Sequence, residues 1–132
     1  MAAKLTDEQI KLLKEPQFAQ LATLMPDGSP HVSPVWVDTD GEYVLVNTEE
    51  QRVKVRNMES DPRVAISVYD PAEPYTRVVN VRGRVVEITK DGATDHINDL
   101  AEQYMGKRPY PYLNPELSRL IVKIEPEQVS SG

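Results

Sequence analysis

The sequence predicts a mainly β (α+β) domain: an antiparallel barrel of about six strands with about three short helices. Strand-like runs outnumber helical ones along the 132 residues. The first three strands are separated by tight turns at Pro26-Asp27-Gly28-Ser29 and Thr39-Asp40-Gly41, which makes them an antiparallel meander. There is no GxGxxG motif, and strands do not alternate with long helices, so a doubly wound sheet is disfavoured. Closure into a barrel is expected because it removes exposed strand edges. A single domain spanning residues 1–132 fits this length.

Thr6-Asp7-Glu8-Gln9 is a capping box that opens a helix through Ile10, Leu12 and Leu13, ending before Pro16. Phe18–Leu24 alternates as a strand, and Pro30–Asp38 is extended. Pro34 cannot donate to a ladder, so that strand has an edge, a bulge or an opening there, where a ligand can approach backbone. Glu42–Val46 is the third strand. A short helix follows, broken at Ser60-Asp61-Pro62, and then comes a strand carrying Val64, Ile66 and Val68. Asp70–Pro74 is a proline-rich loop. The next strand, about Thr76 to Ile88, contains Gly83 as a bend or close-approach point. Ile97, Leu100, Ala101 and Tyr104 recur at helical spacing, placing a third helix over Ala93–Met105 with Gly106 at C′. Lys107–Pro115 holds three prolines and is irregular, and Leu120, Val122 and Ile124 mark the closing strand.

A net charge of −6 argues against a broad nucleic-acid surface, so any anion must be met by a local pocket. The chain has no cysteine, which excludes thiolate zinc, disulfides and cysteine catalysis. His31 and His96 lie far apart with no metal-binding spacing. No apolar run reaches membrane-spanning length and no signal-peptide pattern opens the chain, so the cytoplasm is the default location.

Asn47–Glu59 concentrates the chemistry. Thr48-x-x-Gln51 has the capping-box pattern, and Arg52, Lys54 and Arg56 follow within two turns. Free backbone donors beside guanidinium and ammonium groups suit a phosphate. Glu49 and Glu50 already complement the helix dipole, so the same pattern is also that of a solvated helix face. Tyr104, Tyr110 and Tyr112 with Lys107 and Arg108 form an aromatic-basic cluster, in which Tyr104 fits the apolar face of the third helix. His31 on its strand reads as solvent-facing, and Tyr75 and Arg77 after the proline-rich loop either reach the substrate side or, as is commoner for a tyrosine there, only pack.

Two segments carry a family likeness: LAT…DGSPHVSPVW at Leu21–Trp36 and NTEEQRVKVRNMESDPRV at Asn47–Val64, supported by VRGRVVEI and YMGKRPYPY further on. They resemble the pyridoxamine-phosphate-oxidase-like split β-barrel superfamily. Within it the chain is most similar to the actinobacterial branch of flavin/deazaflavin-dependent oxidoreductases that use coenzyme F420. The resemblance spans Gln9 to Pro126 and implies a homodimer of six-stranded split barrels, with cofactors in clefts lined by both chains. It further implies that Arg52 and Lys54 grip the cofactor phosphate, with Thr48 and Gln51 hydrogen-bonding beside them and Asn57 one turn further on. Ser33, Pro34, Val35 and Trp36 would lie along the ring, with Ser67 on a neighbouring strand.

One departure bears on the cofactor. The FMN-binding members carry a basic residue near the position of Ser33 and another where this chain has Asp38. Their absence favours F420 over FMN. The activity implied is hydride transfer from C5 of the reduced deazaflavin to a conjugated small-molecule acceptor such as a quinone, an enone or a biliverdin-like tetrapyrrole. An FMN-binding oxidase or flavin reductase of the same fold remains open, as does a non-catalytic protein that holds F420, a flavin or a tetrapyrrole. No side chain is assigned as a catalytic acid or base.

Overall fold

The computed structural model describes residues 2–131. Its strands are β1 (Phe18–Leu24), β2 (Pro30–Thr39), β3 (Val44–Glu49), β4 (Arg63–Tyr69), β5 (Val78–Thr89) and β6 (Arg119–Ser130). The helices are α1 (Asp7–Leu13), α2 (Val53–Ser60) and α3 (Ala93–Met105). The strands close in the order β1-β2-β3-β6-β5-β4 with every neighbouring pair antiparallel, so the expected six-stranded barrel with three helices is the fold. None of the described helices is long and apolar enough to cross a membrane.

Alternation puts Ala19 and Leu21, Val64, Ile66 and Val68, Val79 and Val81, and Val122 and Ile124 inside the barrel. The predominance of valine follows from the narrow lumen, which β-branched side chains fill from a pleated wall. Leu12 and Leu13 of α1 and Met58 of α2 join the same core. The α1 capping box is present as expected: Thr6 Oγ1 accepts from the Gln9 N–H, and the Gln9 side chain accepts from the Thr6 N–H at 2.9 Å.

Barrel closure is uneven. β2 pairs with β1 over seven residues, from Phe18↔Trp36 to Leu24↔Pro30. It pairs with β3 over only three: Val37↔Val46, Asp38↔Leu45 and Thr39↔Val44. From Trp36 back to Pro30, β2 therefore has no partner on the β3 side. Pro34, which has no N–H, lies within this parted stretch, as the opening read from its sequence position requires.

The capping box expected at Thr48–Gln51 does not form. Thr48 is a residue of β3, paired with Leu120, and the strand runs on to Glu49 opposite Arg119. α2 begins at Val53 with Arg52 as its N-cap and no side-chain cap, while the Gln51 amide donates to Glu49 Oε1 at 3.3 Å. Long-range pairing with β6 thus overrides the local capping pattern, and β3 lies three residues later than expected at its end.

Gly83 is a true close-approach point. It sits at a register shift between β5 and β6, and a Cβ there would overlap the backbone carbonyl of Glu125. Backbone on both sides leaves no flexible side chain to yield. Gly83→Ala is expected to lower the free energy of unfolding by about 1–3 kcal/mol, the usual range for overpacking, measured by urea denaturation.

Candidate functional site

The parting of β2 from β3 leaves a cleft of about 390 Å³, a size typical of small-molecule sites. Ser33, Pro34, Val35 and Trp36 of β2 line one side, and Asn47, Thr48 and Glu49 of β3 the other. Arg52 and Lys54 enter from the start of α2, Arg119 from the start of β6, and Tyr110 from the loop after α3.

Three cations therefore converge where the lining offers one carboxylate. Arg52 Nη2 lies 3.0 Å from Glu49 Oε1. Arg119 donates its Nε–H to Asn47 Oδ1 at 2.9 Å, and its guanidinium carbon lies 5.4 Å from the centre of the Tyr110 ring. Among the described residues, the lysines in ion pairs are Lys14, Lys90 and Lys123, and Lys54 makes none. Burial pushes the Lys54 ammonium below the ordinary lysine range, and the positive charges of Arg52 and Arg119 push it further. Arg119 is also shifted down, first by burial, against the opposing pull of Tyr110 and Glu49. A half-buried cluster of like charges is unfavourable on its own, and an anion would relieve it.

Beside the cations stands an aromatic wall. Trp36 stacks on Tyr104 of α3 with centroids 4.8 Å apart and planes 16° from parallel, and Tyr110 meets Trp36 edge-on at 5.8 Å. Tyr104 is fixed in turn, because its hydroxyl donates to the Gln17 carbonyl at 2.8 Å and accepts from the Val37 N–H at 3.0 Å. Ser33 Oγ is covered from solvent and has no hydrogen-bond partner among the described residues. A guanidinium pair and an ammonium for a phosphate, an unpartnered hydroxyl, and apolar surface beside an unpaired strand edge together suit a planar phosphorylated ring.

Of the residues singled out in the sequence, Ser33, Pro34, Val35, Trp36, Thr48, Arg52 and Lys54 come together in this cleft. Gln51 lies on another face, beside Arg56 and Glu59. Asn57 is buried and donates to Thr23 Oγ1 at 3.1 Å, tying α2 to β1. Ser67 donates to Asn80 Oδ1 at 2.6 Å in a separate groove across β1, β4, β5 and β6. Arg77 is held by Glu15 and Asp70, both at 2.7 Å, away from the cleft, and Tyr75 is exposed. Arg108 pairs with Asp99 of α3 at 2.6 Å. His31 does not face open solvent: it is half-buried, with Nδ1 covered and unpartnered among the described residues. Nothing in the sequence pattern singles out Arg119, and Tyr110 belongs there only to a loop cluster. Register alone could have found Arg119, as the residue opposite Glu49.

The pyridoxamine 5′-phosphate oxidase family model matches residues 5–131. The chain belongs to that family. Among solved structures, an F420 reductase is 34% identical, with 97% of this chain and 100% of that one covered and a TM-score of 0.85. A conserved hypothetical protein of Mycobacterium tuberculosis is 25% identical over 97% of this chain and 84% of its own, with a TM-score of 0.74. General Stress Protein 26 of Bacillus anthracis, at 17% identity over 93% and 89% of the two chains and a TM-score of 0.68, shares the fold. No curated protein sequence matches the chain. Within this family of split barrels, the chain stands on the flavin/deazaflavin oxidoreductase side.

Lys54 carries a folded-state pKa below that of an unfolded lysine, so its protonation opposes folding at neutral pH. Lys54→Met should therefore raise the thermal midpoint of the ligand-free protein at pH 7. The gain should shrink as pH rises from the folded-state value of Lys54 to the ordinary lysine value, where both states are neutral. Thermal scans of the two proteins between neutral and high pH, at low salt, check both the direction and the window.

Proposed function

We propose that the cleft between β2 and β3 binds coenzyme F420, and that the protein is an F420-dependent reductase of a conjugated small-molecule acceptor. The family membership supports a flavin-type oxidoreductase. The observation that carries the binding reading is the convergence of Arg52, Lys54 and Arg119 with a single carboxylate, next to the free edge of Ser33–Trp36. Similarity to an F420 reductase over its whole length favours the deazaflavin. So does Asp38, which stands where FMN-binding members are expected to carry a cation.

When bound in its reduced form, the deazaflavin supplies a hydride. The chain's own contribution is position and electrostatics. Arg52, Lys54 and Arg119 neutralise the phosphate, the two arginines offering planar forks and Lys54 a point charge. Ser33 Oγ and the unpaired backbone of β2 meet the polar edge of the ring, with Thr48 across the cleft. Trp36, braced by Tyr104, bounds the site and excludes water from one side of it. Phe18 and Tyr112 stand exposed at and beside the rim, at 64% and 71% of their full areas, which suits closure by a second copy in a homodimer. The family match keeps FMN as the second reading.

The test is a side-by-side titration of the purified protein with F420 and FMN, following the emission of Trp36, the only tryptophan. F420 is expected to bind more tightly and to quench it. Lys54→Ala and Arg119→Ala should each weaken binding by about 1.5–3 kcal/mol, the value of a hydrogen bond to a charged group. Affinity unchanged within error in Lys54→Ala would remove the phosphate assignment, and preference for FMN would replace the cofactor.

A further inference from the structure

A line of polar side chains runs from Arg119 through Asn47 and then leaves the cleft's lining for the space between α3 and the barrel. Asn47, 7% exposed, accepts the Arg119 Nε–H at its Oδ1. Its Nδ2 lies 2.9 Å from the Ala93 carbonyl oxygen and 3.1 Å from His96 Nδ1. His96 Nε2 lies 3.0 Å from Asp38 Oδ2. Asp38 Oδ1 takes hydrogen bonds from Lys14 Nζ at 2.7 Å and from the Thr39 N–H at 2.8 Å. His96 and Asp38 side chains are only 11% and 15% exposed.

The chemistry of the two ends fixes every proton between them. Arg119 Nε can only donate and the Ala93 carbonyl can only accept, so the Asn47 amide has one permitted orientation. Turning it would set donor against donor at Arg119 and acceptor against acceptor at Ala93. One of the two Nδ2 protons serves Ala93, and the other points at His96 Nδ1, which must therefore be bare. The imidazole proton then sits on Nε2 and is donated to Asp38, whose carboxylate is held ionised. Burial pushes Asp38 up, but the hydrogen bonds from His96, Lys14 and the Thr39 backbone outweigh it and leave it below the usual range. The relay occupies Nε of Arg119 and leaves its two terminal nitrogens, which make no hydrogen bond among the described residues, for a ligand.

We propose that His96 is a positioning residue for the cleft: as a neutral, Nε2-protonated imidazole it orients Asn47, and Asn47 aims the Arg119 guanidinium at the bound phosphate. This rests on the reading of the cleft as a phosphorylated-cofactor site. His96 lies outside the cleft's lining, and its effect on binding passes through Asn47 and Arg119. A histidine that only docked α3 on Asp38 would share this tautomer, but it would be replaceable by an apolar side chain of similar size with no effect on Arg119 or on binding.

Two measurements separate these. On the wild-type protein without cofactor at neutral pH, nitrogen NMR should show His96 Nδ1 unprotonated and Nε2 protonated. The Arg119 Nε–H should exchange with solvent far more slowly than that of the exposed Arg56. A ring protonated at Nδ1, or an Arg119 Nε–H that exchanges like an exposed guanidinium, overturns the proposal without any variant. Then F420 and FMN are titrated against His96→Gln and His96→Leu. Glutamine can accept from Asn47 and donate to Asp38, so it should bind within about twofold of wild type and keep the Arg119 Nε–H protected. Leucine can do neither; it should lose about tenfold in affinity, a hydrogen bond's worth, with faster Nε–H exchange. In an Arg119→Ala background the leucine variant should lose nothing further. An additive loss there, or wild-type affinity in His96→Leu, refutes the positioning role. If neither cofactor binds the wild type, the proposed function fails and takes the anion role with it, while the ring and exchange signals still report on the relay itself.

Discussion

Everything at the cleft depends on the parting of β2 from β3 after three residue pairs. A barrel paired along its full length would satisfy every backbone donor and acceptor internally and offer a ligand nothing but side chains. Here the edge from Trp36 back to Pro30 keeps groups that need partners, and Pro34 removes one donor from that edge outright. The continuous β1–β2 pairing holds the free edge in place, so the opening does not collapse. The ends of the surrounding elements gather at the fork: β3 finishes at Glu49, α2 starts at Val53 and β6 starts at Arg119. Element ends are where side chains can converge from several directions, which is why three cations separated by up to sixty-seven residues of chain meet there.

That convergence runs against the charge of the whole molecule. The chain is acidic, with a net charge of −6, yet the cleft concentrates positive charge and supplies only Glu49 against it. Each cation is restrained separately: Arg52 by Glu49, Arg119 by Asn47, and Lys54 by its partial burial. None has the full set of partners that a purely structural ion network would give it. The arrangement lowers the stability of the free protein and is the kind of local inconsistency that proteins retain at functional sites. Arg77 shows the contrast. It is matched by two carboxylates at 2.7 Å and ties the loop before β5 to the end of α1.

The fold was legible in the sequence wherever its determinants are local. The capping box at Thr6, the turns containing Gly28 and Gly41, the proline break at Pro34 and the Ala93–Met105 helix all depend on residues close to one another in the chain, whereas the tight approach at Gly83 is to Glu125, forty-two residues on, and only the glycine that permits it is local. Thr48 has the pattern of a helix cap yet lies at the end of a strand, because a threonine three residues before a glutamine looks the same at a helix start and at a strand end. Only its pairing with Leu120, seventy-two residues on, decides between them. The same limit hid Arg119, which sequence alone shows as one more charge before an apolar run. Gln51, Asn57 and Ser67 had plausible side chains at plausible spacing. Their hydrogen bonds to Glu49, Thr23 and Asn80 are set by which way each element turns when it packs. The strand edge and the α2 cations could be read from the chain, but the network that orients them could not.

That network makes α3 part of the site although, apart from Ile97, its residues lie outside the cleft's lining. The register places Gln17 opposite Val37 as the next rung of the β1–β2 ladder, and the Tyr104 hydroxyl takes that rung's place, bridging the Gln17 carbonyl and the Val37 N–H. About two helical turns earlier, His96 reaches Asp38 of β2 and Asn47 of β3. One helix therefore grips both strands of the fork, through Tyr104 and His96 on β2 and through His96 on β3, and it braces Trp36 by stacking. Docking of α3 and the geometry of the opening are then a single property of the structure. A change that loosened the helix would alter the spacing of the two strands before it disturbed the core, because the core valines are held by the barrel itself, while the fork is held by α3 and three pairs of residues.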